Sequence, residues 1–361
     1  MAIVFDNIIF GLQRSGGISR FWSNLIEIGD VINSDNCHFI EPPNASENIL
    51  RQKVKLNHSF PDRTIPVCVS RYLDFGSSFG LKSKYKCSVF HSSYYRLCKE
   101  PGVANITTVH DLIYEKFAHG YSKLAHVLQK RKALQWSDCI TCVSENTKQD
   151  LFHYYPEIAG KDVRVIHNGV DGFEDQSRLG IFNVLKNEIT PHTYFLYVGH
   201  RGVLKGFDKV FAVLRSYKDI ALIVVGSPFT PKETGKFQLH GFSRRVINVG
   251  TVNDFDLNVL YSNAKFLFFP SLYEGFGIPP IEAMMSRCPV IASSTSSIPE
   301  VVGDAALLFD PCSEDHLDKV VDEIRRDDAR ARLIKKGVER SKLFSWGAVR
   351  SKYADIYNEY G

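Results

Sequence analysis

The chain has 361 residues, 44% of them hydrophobic and 23% charged, with a formal net charge of +4. That composition excludes a disordered chain and leaves room for two globular domains of ordinary size. No apolar run approaches the ~20 residues of a membrane span, and eight cysteines without a dense pairing pattern point to a reducing, cytoplasmic compartment.

In chain order, the first predicted strand is Ala2–Phe5, with neither the basic start nor the long apolar run of a secretory leader. Gly16 and Gly17 follow in the connection to a helix whose apolar face carries Ile18, Phe21, Trp22 and Leu25. Paired glycines let backbone approach a phosphate at a helix N-terminus, although they serve equally as a plain turn. The spacing is not G-x-G-x-x-G, which argues against a nicotinamide dinucleotide. Between Arg51 and Lys99 stand ten Lys/Arg and two acids, Asp62 and Asp74. This segment is a candidate surface for anionic lipid or a phosphorylated acceptor, or else a solvated face. No nucleic-acid motif accompanies it, so nucleic acid is not an expected partner.

Strands are predicted next at Val89–His91, Ile106–Val109, Cys139–Val143 and Val163–Ile166. His110 and Asp111 end the second of these, at the carboxyl edge where α/β sheets bind ligands. Asp111 reads as a helix cap, as does Ser144. Cys139 and Cys142 lack a second pair at zinc spacing and read as small buried residues. A linker is expected from Asn168-Gly-Val-Asp171 to Thr190-Pro191.

A second series follows at Tyr194–Val198, Ala221–Val225, Val246–Val249, Phe266–Phe269, Val290–Ile291 and Ala306–Phe309. Each series suits a separate doubly wound α/β domain. Arg201 and Lys205 come just after Tyr194–Val198, where a guanidinium fork and an ammonium suit a diphosphate leaving group. Asp254-Phe-Asp256 has D-x-D spacing, but helical periodicity at Leu257, Leu260 and Tyr261 places both acids in a first helical turn. Catalysis is therefore expected without a bound metal.

The stretch Glu274-Gly-Phe-Gly-Ile-Pro-Pro-Ile-Glu282 is the most informative. Pro279 fits the first turn of a helix. The N–H groups of Gly275, Phe276, Gly277 and Ile278 would lie at its positive end, a ready anion site. An acid on either side of that site suits a ligand with phosphate at its centre and hydroxyls at both ends.

Tyr273–Met284, with Pro289-Val-Ile-Ala292 and Ile298-Pro-Glu-Val301, resembles family 4 of the retaining glycosyltransferases. The resemblance implies a GT-B fold, two facing Rossmann-like domains with an interdomain cleft. The expected domains are 1–170 on the acceptor side and 190–343 for the nucleotide-sugar, with a C-terminal helix, 344–361, crossing back. By the same resemblance Glu274 meets the donor hexose hydroxyls and Glu282 the ribose hydroxyls. Arg201 and Lys205 clamp the leaving group, Gly16 and Gly17 face the distal phosphate and acceptor, and His110 orients the donor sugar. The implied activity is metal-independent, retaining transfer of a hexose from a nucleoside-diphosphate sugar to a glycan or lipid-linked acceptor, with no cofactor. Similarity to bacterial polysaccharide mannosyltransferases makes GDP-mannose the leading donor and the inner membrane face the expected place of work. The rivals are a sugar-nucleotide 2-epimerase, marked by extra acids near His110, and a nucleotide-binding subunit with a decayed site.

Overall fold

The computed structural model describes residues 2–30, 34–179 and 190–361. The chain divides into two compact units, Met1–Gly169 with Trp346–Gly361, and Val170–Ser345. The middle of the expected linker, 180–189, lies outside the described residues.

The first unit holds seven strands: β1 (Ile3–Asp6), β2 (Cys37–Glu41), β3 (Ser59–Pro61), β4 (Val89–Ser92), β5 (Ala104–Val109), β6 (Cys139–Cys142) and β7 (Asp162–Val165). They form one parallel sheet in the order β3-β2-β1-β4-β5-β6-β7. Strands covered on both faces read as continuous apolar runs, and β1, β4 and β6 are buried at every position. The sequence reading missed β2 and β3. The first mixes polar and apolar residues, and the second is a three-residue edge strand ending in Pro61, exposed at two of its positions.

The helix Trp346–Tyr360 packs within this same unit. Tyr353 shares its hydroxyl with Thr108 at 3.1 Å and Thr141 at 2.9 Å, and Tyr357 meets His91 Nδ1 at 2.7 Å. Gly169 leaves room for Trp346, since a Cβ there would lie 2.7 Å from the indole. Burial, with His110 as a like-charged neighbour, pushes the His91 imidazole down to about 3.

Part of the basic segment is internal. Arg96 is 1% exposed and donates to Asp6 Oδ2 at 2.8 Å and to Asp62 Oδ2 at 2.7 Å. Arg51 is held by Glu41 at 2.6 Å. The exposed cations of the segment include Lys53, Lys55, Lys82, Lys84 and Lys86. The candidate anionic-lipid or acceptor surface is therefore smaller than the residue count implies.

The second unit holds β8 (Tyr194–Val198), β9 (Ala221–Val225), β10 (Val246–Gly250), β11 (Phe266–Phe269), β12 (Val290–Ser293) and β13 (Leu307–Phe309). They too form one parallel sheet, ordered β10-β9-β8-β11-β12-β13. An order that runs outward in both directions from β8 and β11 puts the topological switch point between those two strands. Ligands of open α/β sheets bind at the carboxyl ends of such a pair.

Candidate active site

The loops that leave β8 and β11 bring Lys205 and Glu274 together. Lys205 Nζ donates to Glu274 Oε1 at 2.6 Å, the lysine side chain 34% exposed and the carboxylate 13%. Both border a cavity of about 140 Å³, with Tyr197, His200, Ser271 and Pro279 also on its wall. Gly206 (φ +61) lets the β8 loop pass close by. A Cβ at that position would stand 2.1 Å from the Pro270 carbonyl oxygen.

Two serines fix the Glu274 loop, and the sequence reading missed both. Glu274 N–H donates to Ser296 Oγ at 2.9 Å, and Ser297 Oγ donates to the Glu274 and Phe276 carbonyls at 2.9 Å each. Their signal is the hydroxyl-rich run Ser293–Ser297 between a strand and a helix. Gly277, with φ +100, caps the helix Ile278–Met285, which has proline in its first turn as expected. Gly275 and Phe276 are buried in the turn before it.

The other expected donor-site residues are held elsewhere. Arg201 donates to Glu233 Oε1 at 2.6 Å and to the Ser227 and Pro228 carbonyls at 2.7 and 2.8 Å. Glu233 in turn forms a capping box with Thr230 at the start of the helix Pro231–Leu239. Burial opposes its charge, but the Arg201 guanidinium and the Thr230 groups outweigh that and hold it down at about 2. Arg201 thus braces the loop after β9, a role that its position in the sequence gave no means of anticipating. Glu282 is 5% exposed and accepts from the Tyr261 hydroxyl at 3.0 Å.

Asp254 and Asp256 lie in the first turn of the helix Asp254–Asn263, whose cap is Asn253. Among the described residues no three His, Cys, Asp or Glu side chains are grouped to hold a metal ion.

In the first unit, Gly16 is the extended N-cap (φ 174) and Gly17 the first residue of the helix Gly17–Ile26. His110 follows β5, half-buried, with its ring edge-on to Phe21 at 4.8 Å between centroids. Burial, aided by the Lys130 charge, lowers its imidazole to about 3, so it is neutral at physiological pH. Asp111 acts one residue before the expected position. Leu112 is the N-cap of Ile113–Phe117, and Asp111 Oδ1 accepts from Ile113 N–H at 3.0 Å. The acids near His110 that an epimerase would need are Asp111 and Glu115. Glu115 is committed to Lys130 and to the Tyr155 hydroxyl at 2.6 Å.

Two parallel doubly wound units, one with a lysine–glutamate cavity at its switch point, have the architecture of the GT-B class. Several solved structures share this fold, two of which illustrate the match. Sucrose-phosphate synthase from Thermosynechococcus elongatus superposes with a TM-score of 0.74 at 21% identity, covering 99% of this chain and 98% of that one. HepE from Anabaena, in complex with UDP and glucose, gives 0.73 at 15% identity, covering 99% and 100%. At these identities the likeness is one of fold alone.

Residues 38–172 match the model described as Glycosyltransferase Family 4, and residues 185–340 match Glycosyl transferases group 1. The chain belongs to this family of glycosyltransferases. It is similar to the O-antigen chain mannosyltransferase B of Escherichia coli, 42% identical over 110 residues, 30% of this chain and 29% of that protein. It is also similar to the serotype-specific mannosyltransferase WbdA of Escherichia coli, 38% identical over 262 residues, 67% of this chain and 32% of that one. The chain spans about a third of the length of these curated relatives.

Proposed function

We propose that this glycosyltransferase moves mannose from GDP-mannose to a hydroxyl of a glycan or lipid-linked acceptor in surface polysaccharide synthesis, retaining the anomeric configuration and using no metal. The Lys205–Glu274 pair at the β8/β11 switch point carries the reading. There Glu274 would accept hydrogen bonds from the hexose hydroxyls, and Lys205 would meet the negative charge that grows on the departing diphosphate. Gly275, Phe276, Gly277 and Ile278 are assigned to the phosphate and Glu282 to the ribose. Arg201 joins the leaving-group contacts on exchanging Glu233 for diphosphate. Gly16 and Gly17 are assigned to the acceptor side. His110, neutral at physiological pH, orients the hexose through a hydrogen bond. The choice of mannose rests on relatives named as mannosyltransferases. The test is transfer from GDP-mannose in EDTA, with the product anomer read by NMR. An α-mannoside and one GDP per transfer are expected. A β-mannoside, or a requirement for divalent metal, would refute the corresponding part.

Among the described residues no helix is long and apolar enough to cross a membrane. We assign this protein a peripheral place on an anionic membrane, at the cytoplasmic face. The helix Tyr121–Trp136 supports this, having no acid along its length and Tyr121, Leu124, Leu128 and Trp136 exposed. Exposed Tyr72 and Leu73 lie beside it, where Gln129 donates to the Arg71 carbonyl. Apolar side chains among cations fit a lipid surface carrying negative charge. Vesicles containing phosphatidylglycerol should sediment the protein at low salt and release it at high salt. Equal binding to neutral vesicles would refute the electrostatic part.

A further inference from the structure

A buried ion pair lies beneath the His110–Asp111 loop. Lys130, from the helix Tyr121–Trp136, and Glu115, from Ile113–Phe117, are 1% and 6% exposed. The ammonium sits 2.9 Å from Glu115 Oε1 and 3.0 Å from Oε2. Tyr155, just past the helix Glu145–Tyr154, adds its hydroxyl to Oε1 at 2.6 Å, so three helical segments converge there. Lys130 has a further bond, donating from Nζ to the Asp111 carbonyl at 3.0 Å. That carbonyl belongs to the residue after His110.

Packing alone does not call for this chemistry. A well-packed apolar pair often serves a buried site as well as an ion pair or better, because both charges lose their water. What an apolar pair cannot do is donate to a loop carbonyl at the end of β5. We propose that Lys130 is a positioning residue for His110, tying the loop through the Asp111 carbonyl while Glu115 and Tyr155 hold the ammonium in place. The proposal rests on the assignment of His110 to the substrate hexose. It accounts for a charged pair at a buried site, and for a loop anchored from both sides, by Lys130 and by Ile113 N–H at 3.0 Å. The groups facing His110 are His91 from β4, the Phe21 ring and Lys130. Among them the Lys130 charge also disfavours imidazolium.

The test compares Lys130→Met/Glu115→Gln, Glu115→Gln alone and His110→Ala, reading Tm, kcat, donor KM and the His110 imidazole titration by NMR. The double variant leaves no buried charge unpaired and is expected to melt within a few degrees of the parent. Its kcat should fall about tenfold or more with KM changed less than about threefold, the pattern of a misplaced group. Its His110 should titrate at higher pH than the parent's. Glu115→Gln alone leaves the ammonium only neutral acceptors, the Asp111 carbonyl among them, so it should lower Tm more than the double variant does while retaining more of kcat. A folded double variant with parental kcat and an unmoved His110 titration would overturn the proposal. So would failure of both Glu115 variants to fold, which would make the pair a stability element. Full activity in His110→Ala would remove the catalytic premise instead, and the NMR shifts of the 111–113 backbone amides in the double variant would still decide whether Lys130 holds the loop.

Discussion

Replacing Glu274 by alanine separates the donor site from the fold that carries it. The carboxylate contacts Lys205 at 2.6 Å, but the lysine side chain is 34% exposed, so water screens the pair. A pair of this kind contributes roughly 0.2–1 kcal/mol. The loop backbone is secured independently, by Ser296 at 2.9 Å and Ser297 at 2.9 Å, and keeps its course without the side chain. For a unit of this size, Tm should therefore fall by about 4 °C or less. Activity should respond on another scale. A charged hydrogen bond to a sugar hydroxyl contributes ~1.5–3 kcal/mol, which is about ten- to a hundredfold in rate. The expectation is a fall in kcat/KM of about ten- to a hundredfold at nearly unchanged Tm. Hexose transfer from GDP-mannose and thermal melting, run on the same preparation, give both numbers. Transfer within about threefold of the parent would refute the assignment of Glu274 to the donor sugar.

Other outcomes follow from the same geometry. Gly206→Ala places a methyl group 2.1 Å from the Pro270 carbonyl at φ +61. It should cost at least ~2 kcal/mol, seen as a Tm fall of several degrees, and an unchanged Tm would contradict the close approach. Acid should destabilise the first unit before its carboxylates titrate. His91 is neutral in the fold down to about 3, whereas the unfolded chain takes up that proton near 6.5, so stability is full above 6.5 and lost as pH falls towards 3. From pH 7.5 to 5.0 this one residue removes about 2 kcal/mol, measurable by denaturant titration, and a flat profile over that window would refute its buried neutral state. Glu233, held at about 2, adds its own loss only below about 4.5, the ordinary glutamate range.

Strands covered on both faces were legible because burial leaves an unbroken apolar run. Tyr194–Val198, Ala221–Val225 and Phe266–Phe269 have the same bounds in sequence and structure. Edge strand β3 carries no such run and went unseen. The Asp254–Asp256 pair was legible as a helical first turn because capping is local, and Asn253 beside it completes the motif. Side-chain partners across the fold were not legible. Nothing near Arg201 in sequence indicates that Glu233 and two carbonyls hold its guanidinium, or that Tyr261 accompanies Glu282. Likewise Lys130 reads as one more cation on a basic helix until the Asp111 carbonyl is placed beside it.

The central claim is that the β8/β11 switch point holds a nucleoside diphosphate through the loops of Lys205 and Glu274. Its most direct measurement is a thermal-shift series with GDP, UDP, ADP and dTDP in EDTA, on the parent and on Lys205→Ala. The account predicts stabilisation by GDP of ~2.7 kcal/mol at a hundredfold excess over its dissociation constant. The shift should be smaller with the other nucleotides and reduced in Lys205→Ala. No shift from any nucleotide, or equal shifts in the parent and Lys205→Ala, would contradict it.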